Sequence, residues 1–579
     1  MAESATASVS DERAPLLRET ETVEGVVDYK GRPVNRSMTG GWRSAAFIIG
    51  VEIAERFAFY GISSNLITYL TGPLRQSTVT AAENVNAWFG ASSMLLLFGA
   101  FVADAFLGRY RTILFASLLY ILGLGLLTLS AVLPSLNPSN CQDNNISRSC
   151  PPDLQVIIFF CSLYLVALAQ GGHKPCVQAF GADQFDARDP KECKSRSSFF
   201  NWWYFSFNAG SLVSLTILNY IQDNMNWGLG FGIPCVSMVC ALVVFLLGTK
   251  NYRYSFKDDN GSPITRITHV FLVTAKNWRT TPSASIVEEE AGETHLSHGA
   301  CQYRFLDKAL ITAVDSPDGL NKDLKACSIS EVEEAKAVLR LVPIWSTCLV
   351  YAIVFPQSST FFIKQGATMD RSIGSSFKIP AASLQSFIGL SIVLFVPVYD
   401  CVIVPISKVF TRKPSGITML QRIGTGMLLS MISMVVAALV EKERLKTAML
   451  SGLVDIPEAM VPMSVWWLVP QFILFGVADV FTMVGLQEFF YSQVPDGMRS
   501  VGLSLYLSIF GIGSFLSSFL ISVIEKVTSG SAQDSWFSNN LNRAHLDYFY
   551  WLLAGLSALG LVVYLYVARG YVYKRERTI

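Results

Sequence analysis

Charged side chains are scarce in this sequence of 579 residues. Asp, Glu, Lys and Arg make up only 15% of it, and 51% of its residues are hydrophobic, whereas ordinary soluble domains have about 25% charged residues. Apolar stretches of about 20 residues, long enough to cross a bilayer, recur along most of the chain. They are continuous rather than alternating, which excludes a β-barrel, so we predict an all-α membrane protein with many spans.

Patterns that support catalysis or metal binding are also missing. The chain has no phosphate-binding Gly-rich loop with a lysine, no HExxH or paired CxxC, and no nucleophile elbow. Its formal net charge of +1 comes without a basic block suited to nucleic acid. We therefore expect neither an enzyme nor a nucleic-acid-binding protein, and no metal or cofactor.

Eleven cysteines are scattered along the chain, mostly within apolar runs. Cys141 and Cys150 differ, because they flank the polar loop CQDNNISRSC on the predicted non-cytosolic side. The sequence leaves open whether these two form a disulfide.

The apolar windows predict twelve membrane-spanning helices in two groups of six. The first bundle occupies 44–249 and the second 334–570, with a cytosolic linker at 250–333, a disordered tail at 1–43 and a short tail at 571–579. Lys and Arg are enriched in both tails and in the even-numbered loops, which places these segments in the cytosol. The predicted spans are 44–71, 86–107, 110–133, 154–180, 198–221, 227–249, 334–363, 379–410, 419–440, 463–492, 498–525 and 547–570.

A turn pattern recurs in the two halves. Asp104 precedes the basic run GRYR between the second and third spans, and Asp400 precedes basic residues between the eighth and ninth. Any cytosolic loop is basic, but together with the count of spans this echo favours a duplicated transporter architecture. Within the linker, residues 264–278 (ITRITHVFLVTAKNW) have the periodicity of an amphipathic helix at a membrane surface.

The first span carries three ionisable side chains within about one helical turn. Glu52 and Arg56 are four residues apart and Glu52 and Glu55 three apart, so all three share one helix face. A charge in the bilayer is costly unless it faces a partner or a wet cavity, and two carboxylates this close cannot both ionise cheaply. The pattern favours proton coupling, with a structural ion pair as the alternative.

Two further charges fall deep in apolar context, Lys174 in the fourth span and Asp479 in the tenth. They either pair across a central cavity and gate one side of it, or Lys174 binds an anionic substrate group while Asp479 is passive. His173, the only histidine in a span, is expected to be packed or bonded to backbone rather than to titrate. Glu488 is expected to make a contact at the cytosolic end.

Aromatic side chains near these charges either line the cavity or only pack. The seventh span has no ionisable residue between Arg340 and Lys364, so its contribution to a pocket is neutral. The aromatic candidates are Phe59, Tyr60, Trp202, Trp203, Tyr204 and Phe355.

These motifs carry a family resemblance. The stretch EIAERF, which begins at Glu52 and is followed by YG, resembles the first-helix signature of the proton-coupled oligopeptide transporter family, and FGADQFD resembles its second hallmark. The strings NWWYFSFNAGS, CQYRFLDKA, LRLVPIWS, VPVYD and GITMLQRIG resemble the plant branch of nitrate and peptide transporters, from about Tyr29 onwards. The chain is similar to the subgroup that includes vacuolar nitrate transporters.

The resemblance implies a major facilitator fold of twelve helices that works by alternating access. It implies that Glu52, Glu55 and Arg56 serve proton coupling. It further implies that Lys174 contacts a substrate carboxylate or pairs with the acid of the tenth helix, Asp479, where the family usually has Glu.

Three positions compare informatively with family members. Ser63 stands where bacterial peptide transporters often carry an arginine that helps to hold the peptide C-terminus. Phe355 stands where a dual-affinity plant nitrate transporter has a nitrate-binding histidine, so nitrate would need Lys174 or Arg56 as its cationic partner. Thr112 matches a threonine that is phosphorylated in that transporter and is a regulatory candidate.

The segment DERAPLL near the start of the sequence fits an acidic dileucine sorting signal, with Glu12 followed by Leu16 and Leu17. Read by sorting adaptors in a plant member, it favours the vacuolar membrane over the plasma membrane. We therefore predict a proton-coupled symporter that moves nitrate or di- and tripeptides from the vacuole to the cytosol. The alternatives are a transporter of a hormone or specialised metabolite, and a nutrient sensor whose transport is incidental.

Overall fold

A computed structural model describes most of the chain. The sorting signal with Glu12, Leu16 and Leu17 and the loop with Cys141 and Cys150 lie outside the described residues, so both remain predictions. The described residues are 22–132, 153–186, 189–255, 263–278, 303–310, 327–374, 377–411, 417–457, 459–494, 499–529 and 535–571.

Long helices dominate the described residues and follow the predicted spans. In chain order they are α1 (Gly41–Ser63), α2 (Leu66–Thr71), α3 (Thr78–Val102), α4 (Arg109–Val132), α5 (Asp153–Ala182), α6 (Pro190–Val213), α7 (Asn219–Asn224), α8 (Trp227–Leu247), α9 (Pro263–Lys276), α10 (Ile329–Val354), α11 (Phe361–Ala367), α12 (Ser386–Val398), α13 (Val404–Thr411), α14 (Met419–Leu450), α15 (Val469–Ser492), α16 (Arg499–Thr528) and α17 (Leu546–Arg569).

Ten helices of the described part of the chain are long and apolar enough to cross a membrane. The predicted spans outside these ten are the first, which contains Glu52, Glu55 and Arg56, and the fifth, whose helix α6 begins with the polar run PKECKSRSS. Both are nevertheless helical, so the described residues contain helix at all twelve predicted positions. The all-α, multi-pass membrane class is confirmed.

The repeated turn coincides with a repeated backbone feature. A π-helical turn at Ala103–Leu107 continues α3, and another at Tyr399–Ile403 continues α12. Asp104 and Asp400 are each the second residue of their turn. Wide turns of this kind are uncommon and often mark functional positions. A third one among the described residues, Ser214–Leu218, continues α6, but only the two after α3 and α12 carry an aspartate at the same place, which agrees with the duplicated architecture.

Contacts divide the chain into two units. Unit 1 comprises Met1–Ser63 and Phe98–Asp259, and unit 2 comprises Ser64–Leu97 and Asn260–Ile579. In unit 1, α1 packs against α6 and α8, and α4 packs against α5 and α8. In unit 2, α14 packs against α15 and α17, and α10 packs against α16. The predicted boundaries of the two bundles and the linker stay a prediction.

The disorder that we predicted for the whole of 1–43 is wrong for its last part. Strand β1 (Thr22–Val27) pairs antiparallel with β2 (Pro33–Asn35) and with β3 (Tyr254–Ser255). Val23 of β1 and Val34 of β2 pair with each other, and both side chains are buried. A polar composition indicated disorder, but the segment gains partners from a part of the chain more than 200 residues away, which a local pattern does not reveal.

The predicted amphipathic helix of the linker is present as α9. Its buried residues Val270 and Val273 pack with Leu306 and Val332 in one apolar cluster. The apolar face that we expected at a membrane surface is therefore covered largely by protein. The remaining strands form two short pairs, β4 (Met369–Asp370) parallel with β7 (Val461–Ser464), and β5 (Ser372–Ile373) antiparallel with β6 (Phe377–Lys378).

Candidate functional site

Helix α1 holds the three ionisable residues of the first span inside unit 1. Glu52, Glu55 and Arg56 are at most 1% exposed. Arg56 Nε lies 3.1 Å from Glu52 Oε1, and Arg56 Nη2 contacts Glu55 Oε2. The 3- and 4-residue spacings therefore place all three on one face, and one guanidinium is shared between two carboxylates.

The carboxylates are incompletely satisfied. Among the described residues, Glu52 Oε2 and both oxygens of Glu55 make no hydrogen bond of regular geometry, although Glu55 Oε2 is in ion-pair contact with Arg56. Buried polar groups are nearly always hydrogen-bonded, and exceptions require a reason. A proton that neutralises one carboxylate would leave Arg56 with a single counter-charge, which is the chemistry that a proton carrier needs.

Aromatic rings surround the guanidinium of Arg56. Its Cζ lies 5.0 Å from the ring centroid of Phe207 and 5.7 Å from that of Phe59, within range of cation–π attraction. The ring of Tyr60 meets that of Phe207 edge to face, with centroids 6.4 Å apart. Phe59 contacts the guanidinium directly, and Tyr60 packs on Phe207, which contacts it too. Both aromatic residues therefore help to position the ion pair.

A glycine allows α6 to approach the ion pair. A Cβ atom at Gly210 would lie 2.7 Å from the carbonyl oxygen of Ile53 and 3.1 Å from Cβ of Arg56. The distance to the Ile53 oxygen is shorter than Cβ contacts in proteins, so the lack of a side chain at Gly210 allows the close packing of α6 on the charged face of α1.

Lys174 belongs to the same electrostatic cluster. It is half-buried and has neither an ion pair nor a hydrogen bond among the described residues. Its ammonium interacts electrostatically with Arg56, Glu55 and Glu52. An unpaired cation beside a shared ion pair is suited to hold an anionic group.

The local sequence of α5 brings Lys174 and His173 into place. Gly171 packs so closely on α3 that a Cβ at Gly99 would lie 2.2 Å from its carbonyl oxygen. Pro175 lies inside α5 and cannot donate the usual helical hydrogen bond. The lack of a side chain at Gly99, opposite the glycine before the pair, therefore lets α5 approach α3 closely at this point.

His173 is packed, as expected, but it is not bonded to backbone. Its side chain is fully buried, and neither ring nitrogen has a hydrogen-bond partner among the described residues. The ring lies edge to face with Tyr120 of α4, with centroids 6.3 Å apart. Of the two alternatives expected for His173, packed or bonded to backbone, the described residues show the first.

In unit 2, Asp479 has a partner that the sequence analysis missed. The hydroxyl of Tyr351 on α10 donates a hydrogen bond to Asp479 Oδ1 on α15, and both side chains are buried. A tyrosine in an apolar span usually finds a partner for its hydroxyl, and that signal pointed to Tyr351 without identifying the acceptor. Pairing of Asp479 with Lys174 stays a prediction.

Phe355 lies in an aromatic cluster of unit 2. It begins a 3-10 turn, Phe355–Ser359, that follows α10. Its ring centroid is 5.1 Å from that of Phe510 and 6.0 Å from that of Phe475. These contacts are neutral and apolar, as the absence of ionisable residues in the span predicts.

The other aromatic candidates divide by exposure. Trp203 is 6% exposed and packs on Phe199, whereas Trp202 is 54% exposed and contacts Phe205. The side chain of Tyr204 lies outside the described residues. Trp203 therefore serves packing in unit 1.

Thr112 has a structural contact in this conformation. Its side chain is 5% exposed, and its hydroxyl donates a hydrogen bond of 2.9 Å to the carbonyl oxygen of Gly108. A kinase could reach this hydroxyl only if the first turn of α4 unfolded. The geometry therefore does not favour phosphorylation of Thr112 as a means of regulation.

The FGADQFD motif takes part in a network of buried hydrogen bonds that connects the end of α5, the segment before β3 and the segment before α1. Gln184 Oε1 accepts a hydrogen bond of 2.8 Å from the backbone nitrogen of Arg253. The guanidinium of Arg253 lies 2.7 Å from Glu192 Oε2 and also donates a hydrogen bond to the backbone oxygen of Thr39.

Glu488, near the end of α15 in unit 2, lies 3.7 Å from Arg422, as expected for a helix-end contact.

Ionisable side chains buried within helices long enough to span a membrane are typical of proteins that move solutes or ions across it. The fold and this site therefore define a membrane transporter. A family model described as the POT family matches residues 110–537. Protein NRT1/PTR FAMILY 5.10 of Arabidopsis thaliana is 64% identical over 575 residues, which cover 99% of each chain.

A second relative agrees with this assignment. Protein NRT1/PTR FAMILY 5.12 of Arabidopsis thaliana is 54% identical over 578 residues, or 98% of this chain and 100% of its own. The chain belongs to the POT family of transporters, in its plant NRT1/PTR branch, and the family resemblance seen in the sequence is confirmed. It is not an enzyme.

Solved structures confirm the fold. An auto-inhibited POT family peptide transporter matches with a TM-score of 0.69 and 21% identity, covering 93% of this chain and 99% of its own. The POT family transporter PepTSo matches with a TM-score of 0.68 and 22% identity, covering 91% and 98%. Together with the long apolar helices, these likenesses establish the major facilitator fold.

Proposed function

We propose that this transporter is a proton-coupled symporter of small solutes, nitrate or di- and tripeptides, that works by alternating access. The observation that carries the proposal is the buried guanidinium of Arg56, which Glu52 and Glu55 share while some of their oxygens lack partners. Membership of the POT family supplies the transporter class, and the charged face of α1 supplies the coupling.

The charges of the cluster explain why a proton and an anion would move together. Glu52 and Glu55 carry two negative charges, and Arg56 and Lys174 carry two positive charges, so the buried cluster is neutral. One added proton on a carboxylate leaves an excess of one positive charge. A bound nitrate or substrate carboxylate at Lys174 removes that excess, and an uncompensated charge in this setting is costly.

Each residue then has a role. Glu52 and Glu55 carry the proton, and Arg56 holds whichever carboxylate is ionised. Lys174 meets the anionic group of the substrate. Asp479, already bonded to Tyr351, either exchanges that bond for Lys174 during the cycle or stays a passive part of unit 2.

The choice of substrates rests on the same cluster. The lysine ammonium is a compact charge with three donors that suits nitrate and a peptide carboxylate alike. The two solved structures named above include a peptide transporter, which supports including peptides. A larger organic anion, such as a hormone or specialised metabolite, is a second candidate, because the rings of Tyr60 and Phe207 beside the charged cluster offer apolar contact to such a solute.

The site of action is proposed to be the vacuolar membrane, with the plasma membrane as the alternative. The proposal rests on Glu12, Leu16 and Leu17, which fit a signal for sorting adaptors. In an acidic vacuole the proton gradient would drive substrate from the lumen to the cytosol. A tagged Leu16→Ala/Leu17→Ala variant should leave the vacuolar membrane for the plasma membrane, and unchanged location would contradict the sorting role.

Proteoliposomes test the coupling without dependence on location. Uptake of labelled nitrate and of a labelled dipeptide is measured with and without an inward proton gradient, beside counterflow without a gradient. Glu55→Gln should abolish gradient-driven uptake while counterflow falls far less. The matched control is Glu443→Gln, which makes the same change in an exposed ion pair with Lys446.

Each outcome of this assay decides a point. Gradient-driven uptake of nitrate alone identifies a nitrate symporter, and uptake of the dipeptide alone places a peptide carboxylate at Lys174. If neither is transported by protein that is folded and inserted, the organic-anion candidate takes first place. Undiminished gradient-driven uptake by Glu55→Gln would refute the role of Glu55.

A further inference from the structure

Three polar side chains on three different helices of unit 1 are buried and have atoms that make no hydrogen bond of regular geometry among the described residues, although one of the three is in an ion pair with Arg56. They are Glu55 on α1, Tyr120 on α4 and His173 on α5, and each is 0% exposed. The atoms concerned are both carboxylate oxygens of Glu55, the hydroxyl of Tyr120 and both ring nitrogens of His173. Unpaired buried polar groups reduce stability, so three in one place call for a reason other than stability.

The three side chains adjoin one another. The rings of Tyr120 and His173 meet edge to face, with centroids 6.3 Å apart and an interplanar angle of 75°. The hydroxyl of Tyr120 faces the carboxylate of Glu55, and His173 interacts electrostatically with Glu55 and Arg56. Tyr120 is therefore adjacent both to the carboxylate of Glu55 and to the imidazole of His173.

The chemistry of these groups is complementary. A protonated carboxyl donates a proton, a tyrosine hydroxyl can accept one hydrogen bond while it donates another, and a neutral imidazole has one free nitrogen that accepts. Imidazole is also the side chain that most readily gains and loses a proton near neutral pH. The sequence of groups from Glu55 through Tyr120 to His173 is thus a path along which a proton can pass.

We propose that Glu55, Tyr120 and His173 form a proton relay in which His173 is a second proton-holding position of the transporter. The inference rests on the proposed proton coupling and extends it. The O–H bond of the Glu55 carboxyl breaks as its proton passes to the Tyr120 oxygen, directly or across one water molecule. The proton of Tyr120 passes in turn to the free ring nitrogen of His173, which leaves a carboxylate and an imidazolium.

The position of His173 links the proton to the substrate. It precedes Lys174 on α5, so an imidazolium adds a positive charge next to the ammonium that would bind the anion. Meanwhile the carboxylate of Glu55 regains Arg56 as its ion-pair partner. Transfer along the relay therefore moves positive charge from the Arg56 side of the cluster to the Lys174 side and raises the affinity for an anion there.

The groups that face His173 carry charges of both signs. Glu55 and Arg56 face it from α1 and Tyr120 from α4, while Lys174 follows it on α5. Helix α6 also packs against α5, but among the described residues it presents no ionisable side chain that interacts with His173. Among the described residues, the carboxylate of Glu55 is the negative group found to interact with the imidazole, and it would stabilise the imidazolium against the opposing charge of Arg56.

Two variants in proteoliposomes test the relay. His173→Gln keeps a polar side chain but removes the titrating group, and Tyr120→Phe keeps the ring but removes the hydroxyl. Each should lower gradient-driven uptake of nitrate or dipeptide by about tenfold or more relative to counterflow, since a positioned proton-transfer group contributes at least that much. The control is His545→Gln, in a histidine of unit 2 that stacks on Tyr548.

A spectroscopic readout separates a relay from a structural role. The chain has five histidines, so ¹⁵N-histidine labelling gives few signals, and His173 is assigned by the signal lost in His173→Gln. On acidification to the conditions that activate uptake, the ring nitrogens of His173 should change from neutral to protonated shifts. In Tyr120→Phe this change should be diminished.

The outcomes are distinct from those for coupling itself. If Glu55→Gln abolishes gradient-driven uptake while Tyr120→Phe and His173→Gln keep the wild-type ratio of driven uptake to counterflow, the relay is refuted and proton coupling stands. Neutral shifts of His173 throughout activation would also refute it. If Glu55→Gln has no effect on gradient-driven uptake, the proposed proton coupling through this cluster is itself refuted, and the relay with it.

Discussion

The hydroxyl of Tyr351 donates a hydrogen bond to the carboxylate of Asp479 and joins α10 to α15 within unit 2. Both side chains are buried, at 2% and 6% exposed. A second tyrosine, Tyr506, interacts electrostatically with the same carboxylate. The acid of the tenth span is therefore held by a neutral donor, and any cation that pairs with it during transport would compete with that bond.

This bond predicts different results for two substitutions of Asp479. Asp479→Asn keeps an oxygen that can accept from Tyr351, so its stability should stay near wild type. Asp479→Ala leaves the buried hydroxyl of Tyr351 without its acceptor, which should lower the free energy of unfolding by about 1–3 kcal/mol. Thermal unfolding in detergent measures the difference.

The control for this prediction is the double variant Tyr351→Phe/Asp479→Ala. Removing both partners should cost less than the sum of the two single changes, as for residues in direct contact. Equal melting temperatures of Asp479→Asn and Asp479→Ala would show that the bond contributes nothing.

A buried ion pair in unit 2 leads to a second prediction. Arg444 binds Glu441 through two hydrogen bonds of 2.6 and 2.8 Å, and both side chains are 0% exposed. Glu441→Gln removes the charge that compensates Arg444, so the free energy of unfolding should fall by about 3–5 kcal/mol.

The chain offers a matched control two positions further along the same helix, with the same three-residue spacing between acid and base. Glu443 and Lys446 form an exposed pair at 3.4 Å, and Glu443→Gln should change stability by about 1 kcal/mol or less. Melting temperatures in detergent compare the two variants. A Glu441→Gln protein as stable as Glu443→Gln would mean that the bonds of Arg444 to Asn542 and Leu541 suffice for it.

The sequence predicted what depends on local spacing. The shared face of Glu52, Glu55 and Arg56 follows from helical periodicity alone, and the helices stand at the predicted spans because apolar length is a local property. Partners from distant parts of the chain were missed. Tyr351 and Asp479 are 128 residues apart, and no spacing rule relates positions on different helices.

The difference between local pattern and distant partner also explains why two predictions, the disorder of the N-terminal segment and the membrane-facing side of α9, differ from the structure. The segment 22–35 is polar, so composition indicated disorder, yet its strand β1 pairs with β3 near residue 254. The apolar face of α9 has the pattern of a membrane-surface helix, yet it packs on Val332 of α10. A hydrophobic stripe shows that a face is buried and does not say whether lipid or protein covers it.

The close approach of α6 to α1 gives a third prediction. Gly210→Ala would place a methyl group 2.7 Å from the carbonyl oxygen of Ile53, which should force the helices apart and cost about 1–3 kcal/mol. Because Arg56 lies at the same contact, gradient-driven uptake should fall as well. Melting temperature and proteoliposome uptake are measured together.

Gly125 on α4 provides the control, because a Cβ there would meet no atom within 4 Å. Gly125→Ala should keep transport and raise stability by up to about 1 kcal/mol, as alanine favours helix over glycine. If Gly210→Ala behaves like Gly125→Ala, the packing of α6 does not position Arg56.

The fourth prediction concerns Arg253, which secures the N-terminal strands of unit 1. Its guanidinium is 1% exposed, reaches both oxygens of Glu192 at 2.7 and 3.3 Å, and donates to the backbone oxygen of Thr39 at 3.1 Å. Lysine has a point charge without the planar fork and cannot make these bonds together. Arg253→Lys should therefore lower the free energy of unfolding by about 1.5–3 kcal/mol.

Hydrogen exchange locates the effect of this change. Amides of β1 should exchange faster in Arg253→Lys than in the wild type, while those of α14 in unit 2 should keep their rates, because the lost bonds belong to the segment beside β3. The control is Arg543→Lys, in an exposed pair with Asp455, for which we expect a change of about 1 kcal/mol or less. Unchanged exchange in β1 would show that the sheet is held by Val23 and Val34 without the guanidinium.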